Sequence, residues 1–478
     1  MKIIATSDVH GYIFPVDYST DSRVPTGLFS MRESFPKDAL KLDLGDILQG
    51  SPLASFIKKK DYPEFFASVM NDIGYDYVTL GNHDFNYGRD YLKRYIDNLD
   101  AEVLCANVID HSNSLKISPY KIIERDGLKI ALVGLVTHWV NIWEREENIE
   151  GLEFLNPISV IESIKDEIKN CDLKICMYHG GIERDINTLE LLSNTDENMG
   201  YRIMEMEVFD IVLTGHQHMP IESFYAFNSL LTQSPYNGTG FIEIDVEGKT
   251  FNSKIVKPSV LDFHIDDKYL KIDKECNEFL DIKIGELDQS FTPLSHLDAA
   301  IKSLTNDYSL ANFINKIQKD YSKSDISVTS FANEIKGFKT DVTFRDVLST
   351  YRFPNVLSVI EITKDELISA IEHNFEYLLK NNDEYYINNR YLLPKEEHYN
   401  FDFFYGLNFS YEYVDGKFKI KSLTFDDDVD ENRIKLALNN YRLSGAGGFS
   451  MYRGKDPIFT SNDEISTIIA EYIKNNSN

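Results

Sequence analysis

The sequence predicts an α/β protein of two domains, and three observations carry that reading. Its 478 residues exceed what one ordinary hydrophobic core organises. Short apolar runs alternate with helix-compatible stretches through the first half, a strand and helix pattern. Several of those runs end in Asp, His or Asn beside glycine, at the carboxyl edge where open α/β sheets place ligands.

The elements follow in order. Residues 2–7 read as a buried strand that ends in Asp8-Val9-His10-Gly11. Residues two apart on an extended backbone face the same side, so Asp8 and His10 converge on one point. Residues 39–44 form the second strand, closed by Gly45-Asp46, and a carboxylate there has two oxygens to share between cations. Asp43, inside that strand, reads as structural. Residues 77–80 lead to Gly81-Asn82-His83-Asp84, in which Asn82 offers a neutral carbonyl oxygen and His83 is left to act on a substrate. A helix over 87–99 and a strand over 103–107 come next, then a strongly apolar central strand over 129–136. A helix over 157–169 precedes the strand 172–178, which ends at His179-Gly180-Gly181. The strand 209–214 runs into Gly215-His216-Gln217-His218, repeating the spacing of Asp8 and His10. Strands over 241–246 and 253–256 complete the first half.

Composition narrows the ligand. A formal charge of −28 and a pI near 4.8 repel polyanions, and no Lys/Arg cluster breaks that field, which argues against a long nucleic acid. A small anion held by metal remains compatible, because bound cations dominate the local charge. Cys105, Cys171, Cys176 and Cys276 are too dispersed for a zinc knuckle and read as buried thiols. The chain opens directly in a strand, and nowhere do 18 apolar residues run together, so the expectation is a soluble protein of a reducing, cytoplasmic compartment with no membrane partner.

Five of the eleven histidines stand at these strand ends, beside Asp8, Asp46 and Asn82. Mixed imidazole and carboxylate donors favour Mn, Fe, Zn or Co over Ca. Two such cations about 3.5–4 Å apart can share a hydroxide, lower its pKa and clamp a phosphoryl group for in-line attack.

The ordered set Asp8-x-His10, Gly45-Asp46, Gly81-Asn82-His83-Asp84, His179 and Gly215-His216-x-His218 resembles the calcineurin-like metallophosphoesterases over roughly residues 1–260. The resemblance implies a four-layer α/β/β/α sandwich and two divalent metal ions. One would be held by Asp8, His10, Asp46 and His218, the other by Asp46, Asn82, His179 and His216. It implies that His83 contacts the phosphoryl oxygens or the leaving group, with Asp84 beside it supporting the loop.

Residues 267–287 are charged and helix-compatible and read as an interdomain helix within a linker over 263–295, which bounds a first domain at 1–262 and a second at 296–478. In the second domain a helix opens at Ser309, residues 325–330 and 356–362 read as strands, 343–350 and 364–379 as helices, and Asp415-Gly416 as the turn of a β hairpin. This half resembles the C-terminal α/β domain of the 5′-nucleotidase and 2′,3′-cyclic-nucleotide phosphodiesterase family. The resemblance implies a small nucleotide substrate whose base is held between two aromatic rings, at positions matching Phe353 and Phe449, with Tyr441 as a substitute for the latter. In the 5′-nucleotidase branch an Asp stands three places after the catalytic His; here that place is Asn86. Residues 81–88, 351–355, 399–402 and 439–442 resemble the cyclic-phosphodiesterase/3′-nucleotidase branch instead. The expected activity is hydrolysis of 2′,3′-cyclic nucleotides and 3′-nucleotides, with a 5′-nucleotidase or nucleotide-sugar hydrolase as the alternative.

Overall fold

A computed structural model describes residues 1–18, 22–192, 196–353, 355–382, 384–393 and 396–477. The chain divides into two units, Met1–Asn277 and Glu278–Asn478.

The first unit is built on two mixed sheets. In one, the strands β1 (Lys2–Thr6), β2 (Leu40–Asp43) and β3 (Tyr77–Val78) run parallel, continued by Glu102–Leu104 and Ile117–Ser118. An antiparallel pair, Phe241–Glu247 and Thr250–Val256, extends the β1 edge. In the other sheet β4 (Leu128–Val136), β5 (Leu173–His179) and β6 (Ile211–Thr214) are parallel, with Ser229–Gln233 parallel to β6 and antiparallel strands at both edges.

The strand period of two explains how the sheets meet. Ile3, Ala5, Leu40 and Leu42 of the first sheet share a core with Ile130, Leu132, Ile175, Leu213 and Leu230 of the second. Ala131, Val133, Leu135 and Cys176 face the opposite way and pack on Val160, Ile161, Ile164 and Ile168 of the helix Pro157–Ile168. That helix starts where Asn156 accepts from the Ile158 N–H and Pro157 occupies the first turn, where its missing N–H costs nothing. Helices Pro52–Lys59, Glu64–Ile73 and Arg89–Asp97 connect parallel strands of the first sheet. Its inner face is taken, and they complete the expected sandwich from outside. All seven metal-ligand candidates follow the carboxyl ends of β1, β2, β3, β5 and β6.

The second unit holds one core around a five-stranded sheet in the order Phe403–Tyr405, Ile326–Thr329, Ile434–Asn439, Val356–Ile362, Phe459–Glu464. The hairpin Leu407–Val414/Lys417–Phe425 closes on Asp415 and Gly416, at φ of 50° and 77°, the left-handed pair that a two-residue turn requires.

Two expectations are corrected. The helix beginning at Asp267 ends at Leu280, and Lys283–Glu286 is a strand paired with Asp341–Thr343, because Ile282 and Ile284 alternate with period two. The helix Lys364–Asn374 stops five residues early. Asn374 turns inward to bond the Asp402 backbone, and Leu378–Asn381 pairs as a strand. The two units part between Asn277 and Glu278, within the helix Asp267–Leu280. Tyr269 of that helix bonds Asp72 of the first unit at 2.6 Å. No helix among the described residues is long and apolar enough to cross a membrane, and all four cysteines are buried free thiols.

Candidate metal centre

The strand ends converge because each turns sharply. Asp8, His10, Asp46, His216 and His218 all have positive φ, between 52° and 70°. Left-handed backbone at non-glycine residues costs on the order of 1–3 kcal/mol each and clusters where function holds it. Glycines permit the crowding: a Cβ on Gly45 would collide with the Gly81 backbone, and one on Gly81 with the Asp46 carboxylate. The Asp8 backbone N–H donates to Gly45 O and that of His10 to Asp46 O, tying the first loop to the second.

Asp84 joins the second loop to the third. Its Oδ2 accepts from the N–H of Asp46 and Gly81, both at 2.9 Å, and its Oδ1 from Ile47 and Leu48 at 3.0 and 3.1 Å. Both oxygens are committed to backbone, and through them Asp84 ties the two loops together. Burial, followed by the Asp46 charge, pushes its pKa up to about 6.

The imidazoles are oriented by carbonyls and aromatic rings. His10 Nδ1 lies 2.8 Å from Gln49 O and His179 Nδ1 lies 2.6 Å from Leu44 O, so each donates from Nδ1 and leaves Nε2 as a lone pair. Those lone pairs meet other acceptors. His10 Nε2 is 2.9 Å from His218 Nε2, and His179 Nε2 is 3.1 Å from Asp46 Oδ2. Asp8 Oδ1 lies 3.4 Å from His218 Nε2 and 3.9 Å from both His10 and His179. His216 Nδ1 sits 2.8 Å from Asn82 Oδ1, while its Nε2 is 2.9 Å from Glu197. Tyr236 stacks on His218 and Trp143 on His216, at 4.5 and 5.4 Å.

Asp46 Oδ2 and His179 Nε2 are buried with no hydrogen-bond partner. A buried carboxylate oxygen facing an imidazole nitrogen needs a cation shared between them, a proton on the ring in the metal-free site or a metal ion in its place. Electrostatics agree. Burial alone disfavours a charged His179, yet Asp46 and Asp8 raise it up to about 10. Burial alone raises Asp8 and Asp46, yet the surrounding histidines hold both well below the usual carboxylate range. His10, buried and next to His218, is pushed down to about 4 and so stays neutral and ligating. Asp8, His10 and His218 form one cluster of convergent donors, and Asp8, Asp46 and His179 a second that shares Asp8. Imidazole nitrogens and carboxylate oxygens at these positions fit a divalent transition metal.

His83 stands outside the ligand set. Its ring lies 5.4 Å from that of His10, and its backbone N–H donates to Asp46 Oδ1 at 2.7 Å. Its Nδ1 lies 2.7 Å from Asn86 Oδ1, the residue three places on.

In the second unit Phe449 is fully buried, with the Arg442 guanidinium 4.2 Å over its ring and Tyr452 stacked at 5.6 Å. It presents no surface to a base, because the glycine-rich turn at 445–448 folds it inward. Tyr441 is 38% exposed, and Phe353 is half-buried; Tyr399 lies between them, 6.2 Å from Phe353 and 6.5 Å from Tyr441. Pro354 lies outside the described residues. Sequence reasoning quoted Tyr399 only within the 399–402 motif and missed Trp143 and Glu197. Trp143 and Trp139, the chain's two tryptophans, fall together after β4, and that was the available signal.

A buried cluster of His and Asp donors at the carboxyl edges of two packed α/β sheets is the constellation of a metal-dependent phosphoric ester hydrolase. Comparison with known families agrees: residues 1–220 match the calcineurin-like phosphoesterase model and residues 283–454 the 5′-nucleotidase C-terminal domain. The chain thus carries a calcineurin-like phosphoesterase domain followed by a 5′-nucleotidase C-terminal domain. It is 24% identical to a 2′,3′-cyclic-nucleotide 2′-phosphodiesterase/3′-nucleotidase of Haemophilus influenzae, over 99% of this chain and 84% of that protein. It is 23% identical to the trifunctional nucleotide phosphoesterase YfkN of Bacillus subtilis, of which it spans 38%. Among solved structures, a Staphylococcus aureus protein provisionally described as a 5′-nucleotidase superposes with a TM-score of 0.87 at 29% identity, covering 100% of this chain and 97% of that one.

Proposed function

We propose that the protein is a dinuclear-metal phosphoesterase that hydrolyses 2′,3′-cyclic nucleotides and 3′-nucleotides to nucleosides and phosphate. Asp8, His10, Asp46 and His218 would hold one cation; Asp46, Asn82, His179 and His216 would hold the other. The observation that carries the reading is the geometry of Asp46. One of its buried oxygens lies 3.1 Å from His179 Nε2 and 3.9 Å from His10 Nε2, within reach of a ligand from each proposed set. The cations supply a lowered water pKa and neutralise charge on the phosphoryl oxygens.

The chain's own residues do the rest. His83 donates from Nδ1 to the Asn86 side-chain oxygen, so that in the doubly protonated ring Nε2 carries the second proton and gives it to the ribose oxygen as the P–O bond breaks. Asp84 keeps the Asp46 and Asn82 loops in register. The base stacks on Phe353 and Tyr441, the ring alternative to Phe449, whose burial removes it from that role. Stacking of this kind is worth about 1–3 kcal/mol per base.

Asn86 in place of a carboxylate supports the cyclic and 3′ substrates, as does the Haemophilus influenzae relative. The likeness to the Staphylococcus aureus structure favours a second reading, a 5′-nucleotidase. Turnover of 2′,3′-cyclic AMP, 3′-AMP and 5′-AMP with added Mn, Zn, Fe or Co, in wild type and His83→Ala, decides between them. Fast release from the first two, lost in the variant with metal still bound, is the expected result. Preference for 5′-AMP overturns it.

A further inference from the structure

The residue that His83 leans on is itself held by a third. Asn86 accepts from His83 through Oδ1 and donates through Nδ2 to Glu144 Oε2. Glu144 Oε1 accepts from Asn148 Nδ2 and from the Arg145 backbone N–H, both at 2.8 Å, and Asn148 also donates to the Asn86 carbonyl at 2.9 Å. Glu144 follows directly on the short helix Val140–Trp143, whose last residue packs on His216.

The donor count explains why a carboxylate stands here. Three N–H groups from three residues converge on the two oxygens of Glu144, a demand that a carboxyl side chain meets on both sides and an amide on only one. With Oε2 accepting, the Asn86 amide must present its NH2 to Glu144 and therefore its oxygen to His83. An oxygen at that point requires a proton on His83 Nδ1, which leaves Nε2 as the atom that exchanges a proton with the substrate. A reversed amide would place NH2 against Nδ1 and fit only a ring lacking a proton there. Such a ring has no second proton to spare for a departing alkoxide.

We propose that Glu144 is a positioning residue for the reaction: through Asn86 it sets the hydrogen-bond polarity of His83 and so enables proton delivery to the leaving group. This rests on the reading of His83 as the acid.

The test uses leaving groups that do and do not need a proton. For each protein, kcat is measured on 3′-AMP, which must release a ribose alkoxide, and on p-nitrophenyl phosphate, whose phenolate departs unprotonated. The ratio within one sample is independent of the fraction folded. In Glu144→Gln, two donors hold the new amide oxygen on the Asn148 side, so its NH2 faces Asn86 and turns that amide over. The expected result is a fall in the 3′-AMP to p-nitrophenyl phosphate ratio of roughly 10²-fold, the scale of general-acid catalysis, with KM for 3′-AMP unchanged. Asn86→Asp alone sets two carboxylates face to face and lowers the ratio too. Asn86→Asp combined with Glu144→Gln gives His83 a carboxylate acceptor and gives that carboxylate an amide donor in turn, and restores the ratio to within about fivefold. Equal losses on both substrates in Glu144→Gln, or a double variant no better than the singles, overturns the proposal while leaving His83 as the acid. A His83→Ala variant whose ratio is unchanged overturns both.

Discussion

Asp43→Asn should stabilise the metal-free protein at neutral and alkaline pH. Asp43 is 1% exposed, and its carboxylate takes two hydrogen bonds, from Thr6 Oγ at 2.6 Å and from the Gly45 N–H at 3.0 Å. Burial, the largest influence, pushes its pKa up to about 7; Thr6 and Gly45 oppose the rise, and Asp84 and Asp8 add to it. A carboxyl raised in the folded state contributes stability that is fully present below its unfolded value near 4. That contribution is lost as pH climbs to about 7 and stays lost above it. At about 1.36 kcal/mol per unit, the charged form costs roughly 2–4 kcal/mol on the alkaline side. Asparagine keeps the contacts without the charge. Its oxygen accepts from Gly45, and its NH2 donates to Thr6 Oγ, whose own proton turns to Tyr75 OH at 2.8 Å. Urea denaturation of chelator-treated protein from pH 4 to pH 9 reads the effect. The variant and wild type should coincide near pH 4 and diverge in the variant's favour up to pH 7. A variant less stable at pH 8, or a difference independent of pH, refutes the reasoning.

Other outcomes follow from the same contacts. Asp84→Asn replaces one acceptor of two backbone N–H groups with a donor, which costs about 3 kcal/mol in denaturation midpoint and lowers metal bound per chain. Tyr441→Ala should raise KM for nucleotides by about 1–3 kcal/mol equivalents at unchanged stability, whereas Phe449→Ala should destabilise the second unit by about 3–5 kcal/mol. Binding assays beside thermal melts separate these two effects. Chelation should lower the melting temperature reversibly, by the equivalent of about 2.7 kcal/mol when metal is returned at about 100 times its dissociation constant. A melt insensitive to chelator would count against the metal centre.

Much of the site was legible because strand ends announce themselves. A run of apolar residues followed by Gly with Asp, His or Asn specifies both the element and the edge at which its polar groups project. That Asp8, His10, Asp46, Asn82, His179, His216 and His218 stand at strand ends was therefore readable from spacing and order. The β4, β5 and β6 strands, the helix at 157–168 and the hairpin at Asp415-Gly416 were readable too, since their patterns are local and strong. The strand at 283–286 was hidden by its charged neighbours, as its alternation spans only a few residues. Asp84 offers a carboxylate that sequence cannot distinguish from a catalytic one; four backbone N–H groups from two loops settle its task.

What the sequence determined by itself was the class of chemistry, because residue type and strand-end position bound what a site can bind. What the tertiary structure alone decided was which atoms meet. The left-handed backbone at five strand-end positions, the Nδ1 contacts that orient His10 and His179, and the line from His83 through Asn86 to Glu144 all depend on residues up to 135 positions apart. Phe449 is the clearest instance in the second unit. A phenylalanine after a glycine run can lie on the surface or in the core, and only the packing of Arg442 and Tyr452 against it placed it inside.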